Sequence, residues 1–244
     1  MNNQELTEAA EIHYGFLPEN YLDDNIDIAI TVKPHGYVGG DYCSVIPLPS
    51  DNVFVCMCDV AGHGISSALF AARINAFVAA QTHISLCPCE LTIRLNALVC
   101  EHILSARILT TFYTAIFNFK THQVSYVGAG HPPMLHYQNR TQQINQLAST
   151  TTPIGIEHPL PIQCQTGQLT FESGDQFFLY TDGVHESRNA DKEQFGLTRL
   201  SEFILANTHL STHEYNAALL KELTGFGGDE FDDDLLLMSM HIRV

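Results

Sequence analysis

Residues 53–60, Val-Phe-Val-Cys-Met-Cys-Asp-Val, form an almost entirely apolar run with a single charged residue, Asp59, next to its end. An apolar run of this length between turn residues predicts a central β-strand that is buried on both faces. Residues 49–52, Pro-Ser-Asp-Asn, predict a turn that joins this strand to an earlier one over residues 42–48, so the two form a β-hairpin. Residues 62–64, Gly-His-Gly, end the strand.

Outside the hairpin, the hydrophobic pattern groups strands and helices into separate blocks. In chain order it predicts a short amphipathic helix over about residues 4–15, a strand over 26–32, helices over 66–83 and 90–104, strands over 111–119, 123–127, 134–137, 142–147, 169–171 and 176–181, helices over 197–207 and 212–224, and a strand over 235–242. No linker is long enough to divide the chain, so one large domain is expected. The grouping favours an α+β fold, in which two antiparallel sheets covered by helix pairs would use every element.

The composition excludes several classes of protein. The 244 residues include 27 Asp and Glu against 11 Lys and Arg, a net charge of −16, which leaves no basic surface for nucleic acid. No apolar stretch reaches the roughly 18 residues of a transmembrane helix, and the polar N-terminus lacks the features of a signal peptide. The seven cysteines are expected to be reduced thiols in the cytoplasm. Neither nucleic acid nor a membrane is therefore expected as a partner.

The spacing of cysteine and histidine residues does not predict a metal site. Cys87-Pro88-Cys89 has no second cysteine pair or nearby histidine pair to complete a set of four ligands, so buried or idle thiols are favoured over zinc. The 13 histidines are scattered, and none forms the His-Glu-x-x-His pattern of zinc proteases.

Four acidic positions stand beside glycine or at the ends of predicted strands. Asp41 follows two glycines, Asp59 and Asp182 end apolar strands, and residues 232–234, all Asp, begin the last strand. A carboxylate at the end of an apolar strand is costly unless its charge is paired. Four such ends at one sheet edge would need a cation, and oxygen-only ligands favour Mg²⁺ or Mn²⁺. Each position alone is better explained as a turn, and the spacing does not name a reaction.

The same positions lie in motifs that form a family pattern. Residues 39–42, Gly-Gly-Asp-Tyr, and 59–64, Asp-Val-Ala-Gly-His-Gly, resemble the opening motifs of bacterial metal-dependent serine/threonine phosphatases of the sporulation stage II E type. These phosphatases regulate sigma factors and are related to type 2C protein phosphatases. The likeness runs in order from about residue 5 to 243, through Phe16-Leu17-Pro18, residues 111–117, 126–133, 153–155, 174–175, 179–186 and 195–196, and Asp233-Asp234.

The resemblance implies a four-layer α-β-β-α sandwich and two Mg²⁺ or Mn²⁺ ions bridged by a hydroxide that attacks phosphorus. It implies that Asp59 bridges both ions and that the carbonyl group of Val60 binds one of them. Asp182 and Asp233 would hold one ion, and Asp41 would hold or orient the other. Asp59 and Asp182 are the residues expected to be essential for catalysis.

The match leaves some residue assignments open. Asp232 or Asp234 could replace Asp233, because a run of three Asp makes the register ambiguous. Leu236 stands where the family usually has Thr, and Ala61 where Ser is common; neither change removes a ligand. His131, between Gly130 and Pro132, is a candidate general acid, but a histidine that stabilises the hairpin is favoured. Cys56 and Cys58 are expected to be core thiols rather than nucleophiles.

The expected function is hydrolysis of phosphoserine or phosphothreonine, with a phosphorylated anti-sigma factor antagonist as the substrate that the resemblance implies. The alternatives are a non-catalytic signalling module with the same fold and a small-molecule phosphatase. Residues 1–18 are expected to be a regulatory or dimer-forming helix, because their apolar stripe is too large for one short helix to bury alone. The alternative is that this helix packs on its own domain. Residues 19–244 would be the phosphatase domain, either a stand-alone enzyme or one domain of a longer chain.

Overall fold

The computed structural model describes residues 3–62, 64–82, 87–102, 109–157, 159 and 164–244. The elements in chain order are α1 (Asn3–Tyr14), β1 (Tyr21–Leu22), β2 (Ile26–Lys33), β3 (Tyr42–Leu48), β4 (Asn52–Val60), α2 (Ile65–Gln81), α3 (Pro88–His102), β5 (Thr110–Asn118), β6 (Gln123–Ala129), β7 (Met134–Gln138), β8 (Gln143–Leu147), β9 (Gly167–Thr170), β10 (Gln176–Tyr180), α4 (Asp182–His185), α5 (Gly196–Ala206), α6 (Thr212–Gly227) and β11 (Leu235–Ile242).

The chain forms two compact units, each with one antiparallel sheet. Unit 1 comprises residues 1–18, 37–133 and 148–170, and its sheet has the order β3-β4-β5-β6-β9. Unit 2 comprises residues 19–36, 134–147 and 171–244, and its sheet has the order β1-β2-β11-β10-β7-β8. All neighbouring strands in both sheets are antiparallel.

In unit 1, α2 and α3 cover one face of the sheet. Side chains alternate along a strand, so Phe54, Cys56 and Cys58 of β4 pack into the apolar cluster under these helices, and Asp59 points to the opposite face. The cluster also includes Ile74 and Val78 of α2. As predicted, β4 is a central strand. Eight of its nine residues are buried, seven of them in an unbroken run from Asn52 to Cys58.

In unit 2, α6 packs on β2 and β11, and α5 packs on β8. The helix α6 begins with a capping box, in which the side chains of Ser211 and Glu214 each accept a hydrogen bond from the other's backbone N–H. The side-chain amide of Asn216 donates to the carbonyl oxygen of Ala29 at 3.0 Å and joins α6 to β2. The strand β11 is apolar and lies between β2 and β10.

The predicted α+β class, with two antiparallel sheets and helices on them, is confirmed. Every predicted element is present, with ends that differ by a few residues at most. The sequence did not predict the short strand β1 or the one-turn helix α4, which begins at Asp182. The predicted helix ends at His83 and Leu104, and the motif residue His63, lie outside the described residues. None of the helices over the described residues is long and apolar enough to cross a membrane.

The N-terminal helix α1 belongs to unit 1. Phe16 and Leu17, just after it, pack against the apolar cluster of that unit, and the ring of Phe16 lies 6.4 Å from the ring of Tyr42. His13 is buried, whereas Ile12 is 75% exposed. The helix therefore covers part of unit 1 and also presents an apolar side chain to solvent. A regulatory or dimer-forming role for residues 1–18 stays a prediction.

Candidate metal centre

In unit 1, the β3–β4 hairpin brings Asp41 and Asp59 together. In the hairpin register, Tyr42 is paired with Cys58. Asp41, just before Tyr42, and Asp59, just after Cys58, therefore lie at the same end of the antiparallel ladder. Asp41 is only 4% exposed, and Asp59 is half-buried. Burial raises the pKa of the Cys58 thiol, and the carboxylates of Asp59 and Asp41 raise it further. Both negative charges therefore lie close to this thiol.

A glycine fixes the backbone of this pair. A Cβ atom on Gly40 would lie 2.5 Å from the carbonyl oxygen of Val60 and 3.0 Å from the Cβ of Ser67. Such distances are too short for any side chain, so only glycine lets the backbone before Asp41 pack against the Val60 carbonyl. Asp41 and the Val60 carbonyl oxygen, two of the predicted ligands, are consequently held next to each other.

In unit 2, a second pair lines a cavity of about 240 Å³. Asp182 begins α4, two residues after the last residue of β10, and Asp233 lies two residues before the first residue of β11. A Cβ atom on Gly183 would overlap the carbonyl oxygen of Asp234, so the glycine allows α4 to pack tightly against the start of β11. The lining consists of Asp182, Gly183, Glu186, Ser187, Arg188, Asp232 and Asp233.

The carboxylates of this cavity repel one another. Burial raises the pKa of Asp182 above its usual value, and the charges of Asp233 and Glu186 raise it further, against a smaller opposing effect of the Gly183 backbone N–H. A carboxyl group in this environment resists ionisation unless a cation is present. The donors are hard oxygens, which Mg²⁺ and Mn²⁺ prefer, so the residues fit the predicted ions.

The run of three aspartates divides into two roles. Asp234 is buried, and its Oδ1 accepts a hydrogen bond from the backbone N–H of His35 at 2.9 Å. Asp233 accepts from the Asp234 backbone N–H at 2.8 Å and lines the cavity, as Asp232 also does. The electrostatic effect of Asp233 on Asp182 distinguishes it from its two neighbours. The geometry thus favours Asp233 over Asp234 as the partner of Asp182.

Thr181 is a supporting residue that sequence reasoning missed. Its Oγ1 accepts a hydrogen bond from the Leu236 backbone N–H at 3.0 Å, and its own N–H donates to the Leu236 carbonyl at 3.0 Å. These bonds tie Thr181, which lies between β10 and Asp182, to β11.

The structure brings the predicted carboxylates together as two pairs, Asp41 with Asp59 in unit 1 and Asp182 with Asp233 in unit 2. Over the part of the chain that the structure describes, no group of three or more His, Cys, Asp or Glu side chains is arranged so that it could hold a metal ion. The assignment of individual ligands therefore stays a prediction.

His131 and the cysteines have the surroundings of structural residues. His131 is buried, its Nδ1 lies 2.7 Å from the Oγ1 of Thr111, and its carbonyl accepts from Ser149 at 2.7 Å. Burial raises the pKa of Cys56 and Cys58 well above the usual thiol value, so neither is an activated nucleophile. These contacts fit the structural roles that the sequence favoured.

Cys89 lies beside a thiol that its spacing did not predict. Its Sγ donates to the carbonyl of Cys164 at 2.7 Å, although 75 residues separate the two in sequence. Burial raises the pKa of Cys164, and Cys89 and Cys87 raise it further. All seven cysteines are free thiols.

Comparison with known proteins identifies the relatives of the chain. The sequence model described as Stage II sporulation protein E (SpoIIE) matches residues 49–243. Phosphoserine phosphatase RsbU of Bacillus subtilis (strain 168) is 27% identical over 224 residues, which cover 91% of this chain and 65% of RsbU. Phosphoserine phosphatase RsbP of the same organism is 29% identical, over 74% of this chain and 45% of RsbP. The chain thus spans between about half and two thirds of the length of these relatives.

Solved structures bear out the fold. The SiaA-PP2C domain of Pseudomonas aeruginosa has a TM-score of 0.83 at 18% identity and covers 98% of this chain and 96% of that domain. The catalytic domain of the serine/threonine protein phosphatase PstP, in complex with two manganese ions, has a TM-score of 0.62 at 12% identity, over 90% of this chain and 99% of that one. At these identities the likeness shows the fold alone.

Proposed function

Because the chain belongs to the stage II sporulation protein E (SpoIIE) family, we propose that it is a metal-dependent protein phosphatase that hydrolyses a phosphoserine or phosphothreonine. The observation that carries the proposal is the cavity of unit 2, where Asp182 meets Asp233 and Glu186 with its pKa raised. Crowded carboxylates with oxygen donors only are the surroundings that a divalent cation stabilises. Every acidic position of the family motifs is retained.

The proposed ligands are Asp41, Asp59 and the Val60 carbonyl in unit 1, and Asp182 and Asp233 in unit 2. They would hold two Mn²⁺ or Mg²⁺ ions. When bound, such ions lower the pKa of a water molecule and neutralise the charge of a phosphoryl group during its transfer. The manganese complex of PstP, which shares the fold, supports this cofactor. Equilibrium dialysis with Mn²⁺ should give two ions per chain.

The protein's own residues set the positions of these oxygens. Gly40 keeps the backbone of Asp41 against the Val60 carbonyl. Thr181 fixes the end of β10, and Asp234 fixes the start of β11 through the His35 N–H. Ligand groups whose backbones are held in this way lose little entropy when an ion binds.

The proposed substrate is a phosphorylated anti-sigma factor antagonist, and the proposed location is the cytoplasm. The substrate is supported by the family and by two relatives that are named phosphoserine phosphatases. The location is supported by the seven free thiols, among them the exposed Cys87, since free thiols persist in reducing compartments.

Hydrolysis assays test the activity. The wild type is assayed on p-nitrophenyl phosphate and on a phosphoserine peptide, each with Mn²⁺, with Mg²⁺ and with EDTA, beside Asp59→Asn. Turnover that needs a divalent ion and is lost in the variant supports the proposal. Turnover of p-nitrophenyl phosphate but not of the peptide would favour a small-molecule phosphatase. Without any turnover, Mn²⁺-independent binding of a partner would favour a non-catalytic signalling module.

The second part of the proposal is that residues 1–18 form a regulatory or dimer-forming helix. Beside α1 lies a shallow apolar cavity of about 230 Å³, at whose rim Ile12 is 75% exposed and Leu69 is 68% exposed. The cavity is lined by Ala9, Ile12, His13, Phe16, Val38, Ile65, Ala68, Leu69 and Ala72. Large exposed apolar side chains that adjoin one another often mark an interface.

Deletion of residues 1–17 should change the oligomeric mass or the activity while the sheets stay folded. Because Phe16 and Leu17 pack on the core of unit 1, the double variant Ile12→Ser, Leu69→Ser is the cleaner test. Leu205→Ser, at an exposed leucine in unit 2, is the matched control. If light scattering and turnover match the wild type in both test variants, the helix has neither role.

A further inference from the structure

One cationic side chain lines the carboxylate cavity of unit 2. Arg188 is the only Lys or Arg among the lining residues, which include the acidic residues Asp182, Glu186, Asp232 and Asp233. The side chain of Arg188 is exposed. Within the described residues, it makes no ion pair and no side-chain hydrogen bond. Arg188 therefore lines a cavity that four acidic residues also line, and its guanidinium is not paired to any of their carboxylates.

The backbone of Arg188, in contrast, is held on several sides. Arg188 forms an isolated antiparallel bridge with Gln194, and the preceding carbonyl, of Ser187, accepts from the Phe195 N–H at 2.8 Å. The Ser187 hydroxyl donates to the Gly183 carbonyl at 2.6 Å. A Cβ atom on Gly227 would lie 2.5 Å from the Arg188 carbonyl oxygen, so the end of α6 packs directly on it. A fixed backbone thus carries an unpaired guanidinium.

The balance of charges in the cavity indicates what the Arg188 side chain could bind. A phosphate monoester carries close to two negative charges near neutral pH. Ions on Asp182 and Asp233 would offset those two carboxylates, but Glu186 and Asp232 would still repel an incoming phosphoryl group. A guanidinium offers five N–H donors in a planar fork that matches two phosphate oxygens.

There is room for a substrate next to this position. A second cavity of about 350 Å³ adjoins the first, and the two share Ser187, Arg188 and Asp232. Arg188 stands where both cavities meet. A phosphorylated side chain that reaches the first cavity could leave its flanking residues in the second.

We propose that Arg188 binds the phosphoryl oxygens of the phosphoserine or phosphothreonine substrate and orients that group in the carboxylate cavity. The proposal rests on the proposed phosphatase function and adds to it a residue that recognises the substrate. It requires that Arg188 affect phosphate binding and not metal binding.

The test compares Arg188→Ala and Arg188→Lys with the wild type. Lys221→Ala is the matched control, because Lys221 is an exposed cation of the same unit that lines neither cavity. With saturating Mn²⁺, kcat and KM are measured on p-nitrophenyl phosphate and on a phosphoserine peptide. The inhibition constant of inorganic phosphate and the Mn²⁺ concentration for half-maximal activity are measured alongside.

Arg188→Ala should lower kcat/KM by about 10- to 100-fold, the value of a hydrogen bond to a charged group. It should weaken inhibition by phosphate and leave the Mn²⁺ midpoint unchanged. The kcat/KM of Arg188→Lys should lie between those of the wild type and Arg188→Ala, because an ammonium group keeps the positive charge but lacks the planar fork of N–H donors. Values within twofold of the wild type, in kcat/KM and in phosphate inhibition, would overturn the proposal, as would a shift of the Mn²⁺ midpoint alone.

The experiments distinguish a wrong assignment of Arg188 from a wrong proposal of phosphatase function. If the wild type has no ion-dependent turnover, the proposed function fails. Calorimetric titration of inorganic phosphate, with Mn²⁺ present, then still tests Arg188 by comparing the wild type with the two variants. Equal phosphate affinity in all three would reject the assignment on its own.

Discussion

The two carboxylate pairs are assembled by different means. In unit 1, strand register brings Asp41 and Asp59 together, and Asp41 is almost fully buried. In unit 2, Asp182 stands at the start of a one-turn helix and Asp233 in the segment before β11, and both line an open cavity. The first pair is positioned by a ladder of backbone hydrogen bonds and the second by a turn.

Because the two carboxylate pairs are held differently, we expect them to differ in how far they tolerate substitution. A hairpin ladder fixes many residues at once, so the unit 1 pair cannot shift without breaking β3 from β4. In unit 2, burial and the charges of Asp233 and Glu186 raise the pKa of Asp182, so its ionised form is less well accommodated. We therefore expect substitutions in the two pairs to have the same effect on activity and different effects on stability.

The largest effect is expected from Asp59→Asn and Asp182→Asn. Each should lower Mn²⁺-dependent turnover by about 100-fold or more, because a neutral amide is a poor ligand and supports the ions less well. Asp182→Asn should leave the metal-free protein as stable as the wild type or more so, since it relieves repulsion with Asp233 and Glu186.

Turnover and thermal unfolding, each with Mn²⁺ and with EDTA, test this pair of variants. Mn²⁺ should raise the melting temperature of the wild type, because a ligand of the folded state stabilises it, and should raise that of the variants less. Asp24→Asn, at an exposed position, is the control. Near-wild-type turnover in either variant would remove that residue from the ligand set.

The next comparison is within the run of three aspartates. Asp233→Asn should resemble Asp182→Asn, whereas Asp234→Asn should keep activity within about fivefold, because an amide oxygen can still accept from the His35 N–H. Steady-state kinetics of the two variants, side by side, decides the register. A larger loss in Asp234→Asn than in Asp233→Asn would reverse the assignment.

Gly40 supports the carboxylate pair of unit 1 and Gly183 that of unit 2. Replacing either glycine should have an intermediate effect on stability and turnover. In Gly40→Ala the new methyl group meets the Val60 carbonyl, and in Gly183→Ala it meets the Asp234 carbonyl. Forced displacement of packed backbone costs about 1–3 kcal/mol of the free energy of unfolding. Both should also lower turnover, since each displaces a carbonyl or carboxylate of its pair.

Urea unfolding with Gly225→Ala as the control tests these glycines. Gly225 lies inside α6 with nothing within 4 Å of a new Cβ, so alanine there should stabilise the protein by up to about 1 kcal/mol. If Gly40→Ala is as stable and active as the wild type, the backbone contact with Val60 is not a constraint on the site.

Sequence reasoning recovered the parts of the fold that have a local signal. Periodicity located the strands and helices. Motif order singled out four carboxylates that the structure places in two pairs, and their role as ligands stays a prediction. It did not predict contacts between residues far apart in sequence, such as Asp234 with His35, Thr181 with Leu236 and Cys89 with Cys164. These long-range contacts depend on the order of the strands in the sheets, and the local hydrophobic pattern does not reveal which strands become neighbours.

The sequence did not predict the one-turn helix α4 for a related reason. Residues 182–185, Asp-Gly-Val-His, resemble a turn, and a Gly after Asp is more typical of a loop than of a helix. The helix forms because Gly183 lets the backbone pack against β11, which is a tertiary contact. Propensity is a weak predictor where packing of this kind decides the conformation.

The smallest effect on activity, and a clear effect on stability, is expected from Asp175→Asn. Asp175 belongs to a family motif, yet its carboxylate is satisfied within unit 2. It accepts from His136 Nε2 at 2.9 Å and from the backbone N–H groups of Asn139 at 2.9 Å and Glu172 at 3.1 Å. Burial acts to raise the pKa of Asp175, but these hydrogen bonds outweigh it and the pKa is lowered, opposite to Asp182.

Asp175→Asn should therefore lower the free energy of unfolding at pH 7 by about 2 kcal/mol, the value of a hydrogen bond to a charged group, and leave kcat unchanged. Since the pKa is lower in the folded state, this contribution is present above about pH 4, the usual pKa of Asp in an unfolded chain. It is lost as the pH falls through the lower folded-state pKa. Denaturant unfolding at pH 7 and at about pH 3 should show the difference between wild type and variant shrink at the lower pH. A loss of turnover without a loss of stability would instead give Asp175 a functional role and end its contrast with the two carboxylate pairs.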